Sequence, residues 1–426
     1  MLKYEVNLSK RYQNLRQLPG FVLLESTDCL QGRYDIVSAC PYDQLVIDDK
    51  ACGEQIFAEL KERIKWSDST LDLPFQGGAI GYFSYDYACD LANIPLARQL
   101  SRFPMVTMGF YDWAIVTDHH CKKVTLFAAN TQPDTPLIIE EIVRLWHLPA
   151  DNSSCSTSTS FVPLIDESDY CDSISKIQDA LNEGRCYQVN LTQPFTATFT
   201  GESWDFYQRL RHKNPVPYAA YLSYEQGEIL SFSPERFITQ DNGLVHTSPI
   251  KGSIKRHEDP LMDEQLKQQL FHCEKNRAEN VMIVDLLRND LGKIAHTGSV
   301  VVEKLWAVES YRDIHHLVSH ICAETSCNPV DVFQACFPGG SITGAPKLEA
   351  MRVIAEQEKY ARGVYCGNIA YFSRHGRLDS SIAIRTLLAE KNQWVLAAGG
   401  GIVIDSDAHE EYQECLTKMS AILRGI

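Results

Sequence analysis

The chain has 426 residues, 44% of them hydrophobic and 22% charged, enough to bury one large core or two smaller ones in an ordinary globular protein. Its formal net charge of −15 disfavours nucleic acid, whose affinity comes mainly from lysine and arginine on phosphates, and obliges any anionic substrate to find local positive charge. No run approaches the ~20 apolar residues of a membrane span, the opening MLKYEVNLSKRYQNLRQLPG does not read as a signal peptide, and the 14 cysteines form no CxxC pair or zinc spacing, so a cytoplasmic protein with reduced thiols is expected.

Residues 1–150 read as alternating short strands and helices, with GAIGYFSYDY and MGFYDWAIVTD followed by a helical IIEEIVRLWHL. The serine- and threonine-rich DNSSCSTSTS reads as a linker, dividing the chain into residues 1–150, a linker at 151–164 and residues 165–426. Tyr170, Ile174, Ile177 and Leu181 then recur at helical spacing behind the capping candidates Asp166 and Ser168, which predicts one amphipathic helix. CYQVNLTQPFTATFT, EILSFSPERFIT, GNIAYFS and WVLAAGGGIVI predict strands. Strands and helices mix without a βαβ rhythm, so the predicted class is α+β, a two-domain architecture with large, mainly antiparallel sheets flanked by helices.

Several segments carry candidate chemistry. Gly339 and Gly344 in GGSITGAPK have the spacing of a phosphate loop, but Ala345 and Pro346 stand where lysine and a hydroxyl residue should follow, which disfavours nucleotide binding. Gly399, Gly400 and Gly401 lack the third glycine of a dinucleotide fingerprint, Ile404 taking its place, and read as a tight turn or a close backbone approach to a ligand. Glu411, Glu414 and Lys418 in HEEYQECLTK share one helix face. A salt-bridged surface is the plain reading of that face; with Glu279 on the helical CEKNRAENVMIVDLLRND, a set of hard oxygen ligands for Mg²⁺ is the sharper one. Lys251, directly before Gly252 in SPIKGSIK, is either a surface lysine at a turn or an amine that loses its proton easily enough to act as a nucleophile. Arg385, predicted within the apolar strand SIAIRTLL, requires a buried acid or a bound carboxylate.

Taken in order, GRCYQVNLT, SPERF, PIKGS, RAENVMIVDLLRNDLG, HHLVS, FPGGSITGAPK, SIAIRTLL, AAGGGIV and EYQECLTK resemble the chorismate-utilising enzymes over roughly residues 165–424. FVLLES and GGAIGYFSYD are similar to that family's first domain. The resemblance implies Mg²⁺ held by Glu279 and Glu414 on the ring carboxylate of chorismate, with Glu411 assisting through water. It implies Arg385, Tyr365 and the Gly401 N–H on the enolpyruvyl carboxylate, Thr343 and Gly344 lining the site, and Lys418 supporting the carboxylates. Glu235 in SPERF takes the role of general acid toward the C4 hydroxyl, and His316 in HHLVS falls at an active-site position.

Two positions separate the chemistries within the family. Water-activating members carry lysine where this chain has Gln188, and anthranilate-forming members carry alanine where it has Lys251. PIKG is the form of members that make 4-amino-4-deoxychorismate for para-aminobenzoate and folate, which implies a covalent intermediate on Lys251 and ammonia as the second substrate. The alternatives are anthranilate formation and a non-catalytic subunit that binds chorismate or tryptophan. No glutaminase cysteine and histidine pair is read in the chain, so the resemblance implies a separate glutamine amidotransferase subunit in a heterodimer. LLES is similar to a segment tied to tryptophan feedback, which makes tryptophan a candidate ligand of residues 1–150. Asn276 stands where relatives carry an acid, and Ser253, in place of threonine, keeps the hydroxyl and is expected to matter little.

Overall fold

The alternating run QVNLTQPFTATFT forms one 13-residue strand, Gln188–Thr200, paired antiparallel along its length with the glycine-rich strand Gln393–Ile402. The computed structural model describes residues 2–5, 8–28, 32–48, 53, 55–149 and 156–423. These two strands belong to a 12-stranded sheet, and a second sheet has 10 strands. Every pairing between named strands is antiparallel, so the predicted α+β class with large antiparallel sheets is realised.

Strand Gly78–Phe83 explains why GAIGYF is apolar throughout rather than alternating. Ile80 and Tyr82 enter a core shared with Val22 and Leu222 of the other sheet, while Ala79 and Phe83 face the opposite way into a core with Phe57 and Phe333. The Phe83 ring lies 4.8 Å from Phe333 and 5.5 Å from Phe57, so helices Gln55–Arg63 and Pro329–Cys336 close that face. The predicted helix after the linker spans Glu167–Asn182, and its cap is Asp166, whose carboxylate accepts the Asp169 N–H at 2.8 Å. Among the described residues no helix is long and apolar enough to cross a membrane.

Both sheets draw strands from each side of residues 151–164. Val22–Glu25 pairs with Tyr218–Tyr224, and Gly78–Phe83 with Asn368–Ser373. Within the predicted linker, Thr157–Ser158 and Val162–Pro163 pair with Gln188–Thr200, and residues 151–155 lie outside the described residues. Arg385 differs from expectation. It sits in the break between strands Leu378–Ile382 and Thr386–Glu390 with φ 51°, because the chain crosses there from one sheet to the other.

Candidate active site

A cavity of about 520 Å³ lies where the second sheet's strands Ile250–Lys255 and Ile314–Glu324 approach Gln393–Ile402 of the first. Helices Glu274–Gly292 and Ala408–Leu423 contribute the rest of its wall. It gathers Glu235, Lys251, Glu279, His316, Tyr365, Arg385, Gly401, Glu411, Glu414 and Lys418 from segments nearly two hundred residues apart. Thr343 and Gly344 are not among its lining residues. The Thr343 hydroxyl turns back to the Gly339 and Gly340 carbonyls at 3.0 and 3.1 Å, and Gly344 pairs with Val189 in a short strand; Ser341 and Ile342 of the same loop line the cavity instead.

Pro234 ends strand Gly227–Ser233, and the resulting turn carries Glu235, only 6% exposed, into the cavity. Burial pushes its carboxyl up to about 7, despite the Ser341 hydroxyl and the Lys251 ammonium, which both favour the anion. It is a proton donor poised near neutrality. Lys251 is shifted the other way. Burial lowers its pKa, Lys418 adds to that, and Glu279, Glu235 and Glu414 counteract it without forming a contact ion pair. Gly252 beside it has φ 82°, and a Cβ there would meet the Asn276 amide at 2.5 Å, so the strand must be bare at this point for helix Glu274–Gly292 to approach.

His316 is held neutral. Burial pushes it down to about 4 with help from the nearby Arg385 cation, and its Nδ1 shares a 2.5 Å hydrogen bond with the Ser253 hydroxyl. Ser253 was expected to matter little, yet its hydroxyl fixes the imidazole, and Tyr311 braces the ring edge-on at 5.0 Å. Burial alone lowers the Arg385 guanidinium, and no acid among the described residues pairs with it. Of the two partners expected for this arginine, a buried acid is not found among the described residues.

On helix Ala408–Leu423, Glu414 pairs with Lys418 at 2.7 Å, and Lys418 also donates to the Gly399 carbonyl at 3.0 Å. Burial raises the Glu414 carboxyl, but Lys418, Lys275 and Lys251 outweigh it and hold it below the usual range. Burial raises Glu411, whose Oε1 accepts from the Ser406 hydroxyl at 2.7 Å. The three glycines make no turn. They run within the strand because a Cβ at Gly399 would strike the Leu191 carbonyl at 2.1 Å and one at Gly401 the Gln188 amide at 1.9 Å, so the close approach is to the neighbouring strand Gln188–Thr200. Among the described residues no three histidine, cysteine or acidic side chains converge tightly enough to cage a metal. The separated carboxylates Glu279 and Glu414 fit an ion that takes few protein ligands and completes its shell with water and substrate oxygens.

Sequence reasoning missed Asn190, Ser341 and Lys275. Asn190 lines the cavity with a buried Oδ1 that has no partner, and Ser341 and Lys275 act on Glu235 and Glu414. Asn190 and Ser341 lie inside the segments that carry the resemblance and Lys275 two residues before one, but their spacing alone does not distinguish them from structural residues.

A buried acid near neutrality, a buried amine, an arginine without an acid partner and separated carboxylates give the cavity the charge pattern of an enzyme site. The sequence model of chorismate binding enzymes matches residues 20–424, and the chain belongs to that family. It is 39% identical to aminodeoxychorismate synthase component 1 of Escherichia coli over 97% of this chain and 95% of that one. Against the protein of the same name from Salmonella typhimurium the identity is 42%, over 97% and 94%. Its fold is similar to the crystal structure of anthranilate synthase component I from Streptococcus pneumoniae, with a TM-score of 0.85, 31% identity and 92% of each chain covered.

Proposed function

We propose that the chain is the chorismate-converting component of an aminodeoxychorismate synthase, which makes 4-amino-4-deoxychorismate from chorismate and ammonia. The observation that carries this reading is Lys251, an amine with a lowered pKa beside a carboxyl raised to about 7 on Glu235. Glu235 protonates the C4 hydroxyl, which leaves as water, while the neutral Lys251 amine bonds to C2 and the two ring double bonds shift toward C4. Ammonia then bonds to C4, the double bonds shift back, and the C2–N bond breaks to release Lys251 as its amine. The enolpyruvyl group stays on the ring.

Arg385 holds the enolpyruvyl carboxylate with Tyr365 and the Gly401 N–H, an assignment supported by the missing acid partner of Arg385. Glu279 and Glu414 would hold Mg²⁺, Glu411 assisting, and the ion would supply positive charge to the ring carboxylate. Neutral His316, fixed by Ser253 and close to Arg385, orients substrate, and Lys418 aligns Glu414.

Ammonia comes from a glutamine amidotransferase partner. The free cysteines among the described residues agree with a reducing cytoplasm. In this reading residues 165–426 carry the chemistry, and residues 1–150 hold a second ligand. Leu24, Glu25 and Ser26 of LLES line a separate cavity of about 380 Å³ together with Tyr218 and the paired Arg236 and Asp379, which supports tryptophan there.

The test is purified chain with chorismate, Mg²⁺ and an ammonium salt, followed by product mass and chromatography. 4-Amino-4-deoxychorismate without pyruvate release is expected. Anthranilate with stoichiometric pyruvate would overturn the proposal in favour of the second reading, which the 31% identity to an anthranilate synthase keeps in view.

A further inference from the structure

Strand Val301–Ser310 carries an irregularity that the chemistry above does not use. Its pairing with Ile314–Glu324 slips between Lys304 and Ala307, where Leu305 and Trp306 together stand opposite Ser319. Trp306 occupies this bulge at φ 58°, a left-handed conformation that bulky side chains rarely adopt and that glycine usually supplies. Its indole N–H is buried without a hydrogen-bond partner. Strain of this kind persists only where surrounding contacts fix it, and it clusters at functional sites.

Two contacts lead from Trp306 to helix Glu274–Gly292, and they land on either side of Glu279. The Trp306 backbone N–H donates to the Ser319 hydroxyl at 3.1 Å, and that hydroxyl donates to the Asn280 Oδ1 at 2.5 Å. Ser319 and Asn280 are both fully buried. The Trp306 ring lies 3.8 Å from the guanidinium of Arg277, three residues before Asn280 on the same helix face, and Arg277 forms no ion pair with a described residue. Ile283, Val284 and Leu287 also hold this helix down, but apolar burial is non-directional. The hydrogen bond and the stack fix its rotation and its position along the sheet.

Glu279 makes no hydrogen bond or ion pair of its own with a described residue, so its place at the cavity follows the helix backbone. Glu279 and Glu414 stand on different helices, the first packed on strand Ile314–Glu324 of one sheet and the second on Gln393–Ile402 of the other. Their separation is therefore set by how each helix sits on its sheet. We propose that Trp306 is a positioning residue that, through the Ser319–Asn280 hydrogen bond and the Arg277 stack, holds Glu279 where it can share a divalent cation with Glu414. This rests on the reading that those two carboxylates hold Mg²⁺. The strained bulge and its unpartnered indole N–H are then concentrated at the one point of the sheet that sets a metal ligand.

The test titrates Mn²⁺ into the purified full chain at saturating chorismate without ammonium, reading free Mn²⁺ by electron paramagnetic resonance. Trp306→Leu removes the ring and is expected to weaken Mn²⁺ binding about tenfold, the usual scale for losing a group that orients a metal ligand. Trp306→Phe keeps an aromatic face for Arg277 and should stay within about threefold of the parent. In turnover with ammonium chloride, the Mg²⁺ concentration for half-maximal rate should rise in Trp306→Leu by the same factor as the Mn²⁺ dissociation constant, with kcat recovering at saturating Mg²⁺. A merely structural role would lower the thermal midpoint and leave Mn²⁺ affinity unchanged, so parental affinity in folded Trp306→Leu would overturn the proposal. Should that variant misfold, Arg277→Met decides: it removes the cation from the ring, leaves the strand intact and is expected to weaken Mn²⁺ likewise, and parental affinity there overturns the proposal. Glu279→Ala separates the clamp from the metal assignment. Parental Mn²⁺ affinity in Glu279→Ala would overturn that assignment and the clamp with it, whereas lost affinity there beside parental affinity in Trp306→Leu would overturn the clamp alone.

Discussion

Burial moves the titration of two side chains in the site, and each exacts a stability cost that substitution should reveal. Glu235 has its carboxyl raised from 4.5 to about 7, so the folded state binds a proton that the unfolded chain has released. The associated stability is fully present below the ordinary carboxyl range and disappears as pH rises through about 7. Glu235→Gln should therefore gain on the parent by up to about 3 kcal/mol between pH 5 and pH 8, measured by urea unfolding. Its kcat should fall ~10²–10⁴-fold and lose the limb on which activity declines above about pH 7. Arg385 is the clearer separation of function from structure. Because it is buried without an acid, Arg385→Met should leave the thermal midpoint unchanged or raised while KM for chorismate climbs steeply. A fall in the midpoint would indicate a structural partner for this arginine. Lys251→Ala should abolish any protein adduct with the mass of chorismate less one water, read by intact-protein mass spectrometry, because no other amine in the cavity stands beside Glu235.

At the scale of elements, the site depends on how the loop FPGGSITGAPK is held against helix Glu274–Gly292. The Lys347 ammonium does this. It donates to the Cys336 and Pro338 carbonyls at 2.8 and 2.7 Å and pairs at 2.6 Å with Asp290, which is 1% exposed on that helix. Lys347→Met leaves Asp290 with only the half-exposed Lys293, so a loss of about 2–4 kcal/mol is expected in denaturant unfolding. The lysine that failed as a phosphate-loop residue is thus a loop anchor. Much of this level was legible beforehand: the helix caps at Asp166, the long strand from Gln188 and the helix bearing Glu411 and Glu414 each follow from local periodicity. Positions decided by tertiary contact were not. Arg385 was assigned to a strand because its neighbours are apolar, although the chain changes sheet there. Thr343 and Gly344 were assigned to the cavity wall because their motif is, although Ser341 and Ile342 are the residues turned inward. The hydrogen bond from Ser253 to His316 joins residues 63 apart and has no local signature.

Across the whole molecule, strand order decides what can fold alone. Local patterning names the strands but not their neighbours, so residues 1–150 and 165–426 look separable in the sequence, whereas each large sheet joins a block of strands from one to a block from the other. Removing residues 1–150 would strip Val22–Glu25 from Tyr218–Tyr224 and Gly78–Phe83 from Asn368–Ser373, leaving long interior strands with an unpaired hydrogen-bonding edge. It would also uncover Leu222, Ile229 and Ile369, whose core is completed by Val22, Ile80 and Tyr82. Residues 165–426 expressed alone should therefore aggregate, or show by size exclusion and circular dichroism an expanded state without cooperative unfolding. Co-expression of the two segments should restore both the sheets and chorismate turnover, since the cut at 151–164 severs no strand among the described residues except the short pairings at Thr157–Ser158 and Val162–Pro163. A soluble, cooperatively folding fragment 165–426 with full activity would mean that the sheets close without their N-terminal strands, against the register observed at Val22–Leu222 and Tyr82–Ile369.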